Sequence, residues 1–148
     1  MPSIRLGTDG DAAAVARLFR LVRTTSLPYL PELHTPAEDL EFFTQQVFRG
    51  SEVWVAGGDV VTGFCAFRLG WVDHLYVHPD CHGRGLGSAL LGTAMAKNDA
   101  LRLWVFQRNL SAIRFYEARG FRRISETDGR DNEEREPDVL LEWRRPPR

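Results

Sequence analysis

The sequence predicts an α+β fold: a central mixed, twisted β-sheet of about six to seven strands with helices on both faces. Three observations carry this. Apolar residues recur with helical spacing as far as Phe48 and switch to a period of two from Ser51 onward. A strand-like run, Trp71 to Val77, feeds a glycine-rich loop and a further helix, after which Leu101 to Phe106 reads as a buried strand. Such a crossover implies that the two strands run parallel. Two late runs, Phe121 to Thr127 and Val139 to Trp143, flank a charged stretch and read as a terminal strand pair.

In chain order, Ser3 to Leu6 is a short strand. Thr8 and Asp11 then have capping-box spacing ahead of a helix with Val15, Leu18, Phe19 and Val22 on one face, ending before Pro28. Thr24 to His34, with two prolines, reads as a loop. Thr35, Pro36 and Glu38 supply a cap, an N1 proline and an N3 glutamate for a helix running to about Phe48, with Leu40, Phe43 and Val47 inward. Val53, Val55 and the run Val60 to Phe67 form a hairpin around Gly57, Gly58 and Asp59. After Leu86 to Met95 and the strand at Leu101, a helix from Leu110 to Arg119 ends at Gly120, a natural left-handed cap. Asp128 to Asp138 reads as a solvated hairpin loop and Arg144 to Arg148 as a loose tail. With no repeat and no linker, residues 1–148 are expected to form one domain.

Composition narrows the function classes. Hydrophobic content of 43%, charged content of 26% and a net charge of −1 describe an ordinary globule and give no reason to expect nucleic acid. Cys65 and Cys81 make no disulfide or metal pattern, which points to a reducing compartment. No apolar run approaches the length of a membrane span, so no membrane partner and a cytoplasmic location are expected. His74, His78, Cys81 and His82 crowd together, but Pro79 and the strand break any helical ligand spacing, so no metal is expected.

The chemistry is concentrated in Leu75 to Leu91. Gly83, Gly85 and Gly87 lack a Cβ, so the backbone there can take positive φ and turn several N–H groups toward one point. The helix opening at Leu86 adds partial positive charge at its N-terminus. This is an anion cradle suited to a phosphate or diphosphate. A Walker loop would need Gly-Lys-Ser/Thr, whereas Gly87 is followed by Ser88 and Ala89; a Rossmann loop would need G-x-G-x-x-G, whereas this is G-x-G-x-G. With no lysine in the loop and no evident magnesium carboxylate, the phosphates serve as a handle and are not the reacting group.

His82-Gly-Arg-Gly-Leu-Gly87 resembles the Arg/Gln-x-x-Gly-x-Gly/Ala signature of the GCN5-related N-acetyltransferases (GNAT), with His82 where Arg or Gln is usual. Asn109-Leu-Ser-Ala-Ile-Arg-Phe-Tyr116-Glu-Ala-Arg-Gly-Phe121 resembles the family's second motif. The resemblance covers about Ser51 to Trp143. It implies a GNAT-like fold in which two parallel strands splay near Tyr76 and Val77 and the pantetheine arm of acetyl-CoA enters between them. It also implies cofactor contacts from Leu75, Tyr76, Val77, His82, Gly83, Arg84, Gly85, Leu86, Gly87, Ser88, Asn109 and Phe115. The implied partners are acetyl-CoA and an amine, with pairing of two copies through the last strands left open.

Acyl transfer to an alkyl amine near pKa 10.4 must free a lone pair that is protonated at pH 7, a cost of about 4.6 kcal/mol. The leaving thiol, if it resembles cysteine near 8.5, asks less. Tyr116 is the residue the resemblance assigns to protonating the thiolate; on spacing alone, at i+3 from Ile113, it would equally be core. Asn109 is either a cofactor contact or a helix cap. Asp73 alternates with Leu75 and Val77 and is the first candidate base; His74 points to the other face, and Glu32 and His34 lie on the loop expected to roof the substrate. The leading expectation is an acetyl-CoA-dependent N-acetyltransferase acting on a primary amine of a small molecule or protein by direct attack in a ternary complex. A non-catalytic acyl-CoA-binding module is the alternative, and a nucleotide-phosphate binder a remote third.

Overall fold

The computed structural model describes residues 3–147. Seven strands form one sheet in the order β1-β2-β3-β4-β5-β7-β6. They are β1 (Ile4–Leu6), β2 (Glu52–Ala56), β3 (Gly63–Arg68), β4 (Trp71–Val77), β5 (Ala100–Phe106), β6 (Arg122–Thr127) and β7 (Asp138–Arg144). Every pairing is antiparallel except β4 with β5. The mixed sheet expected from the sequence is therefore present.

Two cores sandwich it. On one face α4 (Leu86–Ala96) and α5 (Leu110–Glu117) bury Leu90, Leu91, Ile113 and Tyr116 against Cys65, Leu103, Val139 and Leu141. On the other, α1 (Ala12–Ser26) and the turn that follows α2 (Pro36–Phe42) pack Val15, Leu18 and Phe43 on Val53, Val55 and Phe64. β3 lies between both, so Gly63 to Phe67 are all buried, as the unbroken apolar run demands. In β5, Leu101, Leu103 and Val105 turn to the first core while Trp104 is 48% exposed, leaving that half of the second face to solvent.

Local chemistry sets the helix starts. Thr35 Oγ accepts from Glu38 N at 3.2 Å while Glu38 Oε1 accepts from Thr35 N at 2.9 Å, the reciprocal capping box with Pro36 behind it. Thr8 and Asp11 form a second box, ahead of a 3-10 turn leading into α1. Gly120, at φ +95°, turns the chain into β6.

Several expectations are corrected. α1 continues through Ser26, so Thr24 to Ser26 are helical. Leu40 is 42% exposed because Asp39 faces inward instead, where Arg20 Nε reaches Asp39 Oδ2 at 2.8 Å. α2 continues through a π turn, Phe43–Val47, into α3 (Phe48–Gly50), and the extra residue resets the helical phase so that Phe43 and Val47 are both buried. β3 begins at Gly63, leaving Val60 70% exposed in the hairpin loop. The acidic run Asp128 to Asp138 is only partly solvated: Asp128, Arg130, Asp131, Glu133 and Arg135 are exposed, but Glu136 and Asp138 are buried, and Asn132 Nδ2 donates to Glu136 O at 2.7 Å. Of the expected tail Arg144 to Arg148, Arg144 belongs to β7 and Arg145 is tied down, its Nη2 donating to Met95 O at 2.5 Å and Asn98 O at 3.0 Å, while Arg148 lies outside the described residues. Among the described residues no helix is long and apolar enough to cross a membrane.

Candidate active site

β4 ends at Val77, a 3-10 turn follows at Pro79–Cys81, and the glycine loop then enters α4. Gly83 and Gly85 both have φ +79°, the left-handed conformation that glycine adopts freely. Gly85 is the N-cap of α4 and no side chain caps that end. His82 N lies 3.5 Å from Pro79 O, and the next backbone donor is Ala89 N, on Gly85 O at 3.0 Å. The amides from Gly83 to Ser88 thus have no protein acceptor among the described residues. A Cβ placed on Gly83 would meet nothing within 4 Å, so the cradle is open. At Gly87 a Cβ would come within 3.0 Å of Phe115, which explains that glycine differently: it lets α5 approach α4. His82 does not extend outward; its Nε2 lies 3.1 Å from Val77 O.

Beside the loop the sheet opens. β4 and β5 pair at one register position, Trp71 with Arg102, supported by Arg102 N on Gly70 O at 2.9 Å. Beyond that point the strands diverge toward the glycine loop. Leu75 and Val77 pack on the α4/α5 core at the edge of this opening. Tyr76 faces the opposite way, 5.3 Å from the Phe19 ring and 5.6 Å from Phe64, so only its backbone borders the split. Asn109 caps α5, its Oδ1 accepting from Ala112 N at 3.3 Å. Tyr116 is 8% exposed and packs edge-on to Phe115 and Phe121, each 5.3 Å away. Burial raises its phenol well above the ordinary tyrosine value, so it remains protonated, as a proton donor must.

Asp73 is not where alternation puts it. The register passes from Ala66 opposite His74 to Phe67 opposite Val72, which makes Asp73 the extra residue of a β-bulge. It therefore leaves the face of Leu75 and Val77, and its carboxylate is held by Arg68, with Nε–Oδ2 at 2.6 Å and Nη2–Oδ1 at 2.9 Å. His74 does occupy the α1/α2 face, among Phe19, Phe42, Phe43 and Phe64.

His74 also lines a cavity of about 680 Å³ between α1, α2, the 27–34 strap and the acidic loop. Glu32, Glu38, Asp39, Glu41, Glu133 and Glu134 face this cavity with Arg20 and Arg23. Arg23 Nη2 pairs with Glu134 Oε2 at 3.0 Å, and His34 Nε2 with Glu133 Oε1, joining helix and strap to the loop. The join continues at Tyr29, whose ring lies 4.1 Å under the Arg108 guanidinium, which in turn holds Glu136 at 2.7 and 2.8 Å. None of Arg23, Tyr29 or Arg108 carries a periodic signal; each matters through long-range pairing that spacing does not encode.

Burial pushes the His74 imidazole down to about 4, opposed by nearby Asp73 and aided by Arg23. An unfolded histidine near 6.5 binds a proton over a range in which the folded one does not, so His74's contribution is complete above 6.5 and lost as pH falls toward 4. The loss is about 2–3 kcal/mol, or roughly 5–10 °C in Tm at this size. A His74→Phe variant is expected to lose that part of the decline between pH 7.5 and 4.5 in thermal melts; the same slope in both proteins would contradict it.

Residues 49–123 match the family model for the acetyltransferase (GNAT) domain, about half of the chain. Over 70 residues the chain is 36% identical to the peptidyl-lysine N-acetyltransferase YiaC of Escherichia coli, covering 47% of each protein. Over 86 residues it is 29% identical to the peptidyl-lysine N-acetyltransferase YjaB of Salmonella typhimurium, covering 57% of this chain and 59% of that one. The chain thus spans about half the length of the curated relatives it matches. Among solved structures, apo YjaB from Escherichia coli superposes with a TM-score of 0.76 at 22% identity, over 97% of both chains. The Salmonella typhimurium yncA structure with acetyl-CoA gives 0.73 at 18% identity, over 100% of this chain and 96% of that one. Those likenesses show the fold, and the family-model match over residues 49–123, which include the loop and β4, shows that the chain belongs to the GNAT acetyltransferase domain family.

Proposed function

We propose that the protein is an acetyl-CoA-dependent N-acetyltransferase whose acceptor is a cationic primary amine, first of all a lysine side chain of a protein. The observation that carries this reading is the row of amides from Gly83 to Ser88, without protein acceptors, beside a sheet opened between β4 and β5. The two relatives named as peptidyl-lysine N-acetyltransferases support the acceptor class. Acetyl-CoA supplies a thioester, an acyl group already joined to a tolerable leaving thiol.

The chain's own residues do the rest. The loop amides and the N-terminus of α4 hold the diphosphate. Tyr116 carries its phenolic proton for the departing thiolate. Neither cysteine is arranged as a nucleophile: Cys65 is fully buried with its thiol pushed up to about 12, and the imidazoles nearest Cys81 in the chain are engaged elsewhere, His78 Nδ1 by Asp80 N and His82 Nε2 by Val77 O. Direct attack by the amine follows. Asp73 is already engaged by Arg68. His74, at about 4, lies far below an ammonium near 10.4, so it cannot strip that proton efficiently. The nucleophile is the fraction of acceptor that is already neutral.

The 680 Å³ cavity is the acceptor's entry. Arg20 is taken by Asp39, Arg23 by Glu134 and His34 by Glu133, leaving Glu32, Glu38 and Glu41 in excess there. A thiol-release assay with an amine panel tests the reading. A lysine peptide with basic flanks should exceed one with acidic flanks by about 10-fold or more in kcat/KM. CoA binding with only background thiol release across the panel would favour the non-catalytic acyl-CoA-binding module instead.

A further inference from the structure

Arg119 follows α5 and its side chain is fixed from several directions. Nε and Nη2 donate to Ser88 Oγ at 2.9 and 2.6 Å, Nη1 donates to Phe115 O at 2.9 Å, and the guanidinium lies 3.7 Å from the centroid of the Phe115 ring. Ser88 belongs to the first turn of α4, so a full positive charge is held at the positive end of that helix. That placement is unfavourable by itself. Among the described residues no carboxylate lies within ion-pair distance of Arg119, whereas Arg20, Arg23, Arg68, Arg102 and Arg108 each have one. Geometry completes the case. A guanidinium has five N–H donors, and the three bonds above leave one on Nη1 and one on Nη2 for a phosphate oxygen. Position 82 supplies no such group, since the His82 ring is turned back to Val77 O.

We propose that Arg119 is a specificity-determining residue of the glycine loop: it binds a phosphate group of CoA beside the amides of Gly83 to Ser88, reaching across from α5 to supply the cation that position 82 lacks. This rests on the acetyl-CoA reading above. Holding the guanidinium in place before binding removes the entropic cost of ordering a long side chain. Ser88 and Phe115 act as positioning residues.

Calorimetric titration of CoA and of dephospho-CoA into wild type, Arg119→Gln and Arg119→Lys, at two salt concentrations, tests it. Glutamine keeps a donor for Ser88 and removes the charge; lysine keeps the charge and removes the fork. Arg119→Gln is expected to weaken CoA binding by about 10- to 100-fold and to flatten its salt dependence, with Arg119→Lys in between. If dephospho-CoA suffers the same loss, the bound group is the diphosphate; if only CoA does, it is the ribose 3′-phosphate. A CoA Kd for Arg119→Gln within about threefold of wild type overturns the proposal, as does a loss that leaves the salt dependence unchanged. Wild type failing to bind CoA would instead sink the acetyl-CoA reading itself.

Discussion

Tyr116→Phe is expected to lower kcat by about 100-fold, the usual scale for one positioned general acid. CoA affinity should not change, because the ring that packs between Phe115 and Phe121 is retained and only the hydroxyl is lost. Stability should move by no more than about 1 kcal/mol for the same reason. The effect is specific because burial holds the phenol protonated across the working range, so the proton is available whenever the thiolate forms. Rapid-quench measurement of acyl transfer, alongside a CoA titration, separates the two quantities. Equal turnover in Tyr116→Phe and wild type, with matching pH profiles, would return Tyr116 to a packing role.

The second large effect is expected at Gly85, where the chain is left-handed at φ +79° as α4 begins. An L residue in that conformation costs about 1–2 kcal/mol, and a β-branched one more. Gly85→Val should therefore leave the left-handed region and swing the amides of Leu86 and Gly87 away from their common point. Losing two charge-assisted hydrogen bonds at about 1.5 kcal/mol each weakens CoA binding by about 100-fold. The remainder of the fold should persist, since Gly85 precedes the first residue of α4 and belongs to neither buried core. Isothermal titration with CoA reads the loss, and circular dichroism confirms the helix content. Unchanged affinity in Gly85→Val would mean that the loop conformation does not serve an anion.

The parts of the site that were legible in the sequence are those fixed by local chemistry. The glycine loop, the Thr35 capping box and the Asn109 cap each depend on residues within a few positions of one another, and the crossover from β4 to β5 follows from the strand-loop-helix-strand order. What could not be read depends on tertiary pairing. The bulge at Asp73 adds a residue without a sequence mark, since neither glycine nor proline announces it, and it moves the carboxylate off the face that strict alternation assigns. The π turn after Phe42 likewise resets the phase that was used to place Leu40. The acidic run 128–138 has the composition of a solvated loop, yet Arg108, Arg23 and His34 draw it onto the body of the protein. Arg119 illustrates the same limit. Its position ahead of Gly120 looks like a solvent-facing helix end, and only the packing of α5 on α4 brings it to Ser88.

The account depends on the amides from Gly83 to Ser88 meeting a diphosphate, and amide-resolved NMR during a CoA titration tests that most directly. The expected result is large, saturable shifts of the Gly83, Gly85, Leu86, Gly87 and Ser88 amide signals, with the β6 edge strand unmoved. Saturation of CoA binding with those amides unshifted, and the shifts located elsewhere on the sheet, would contradict it.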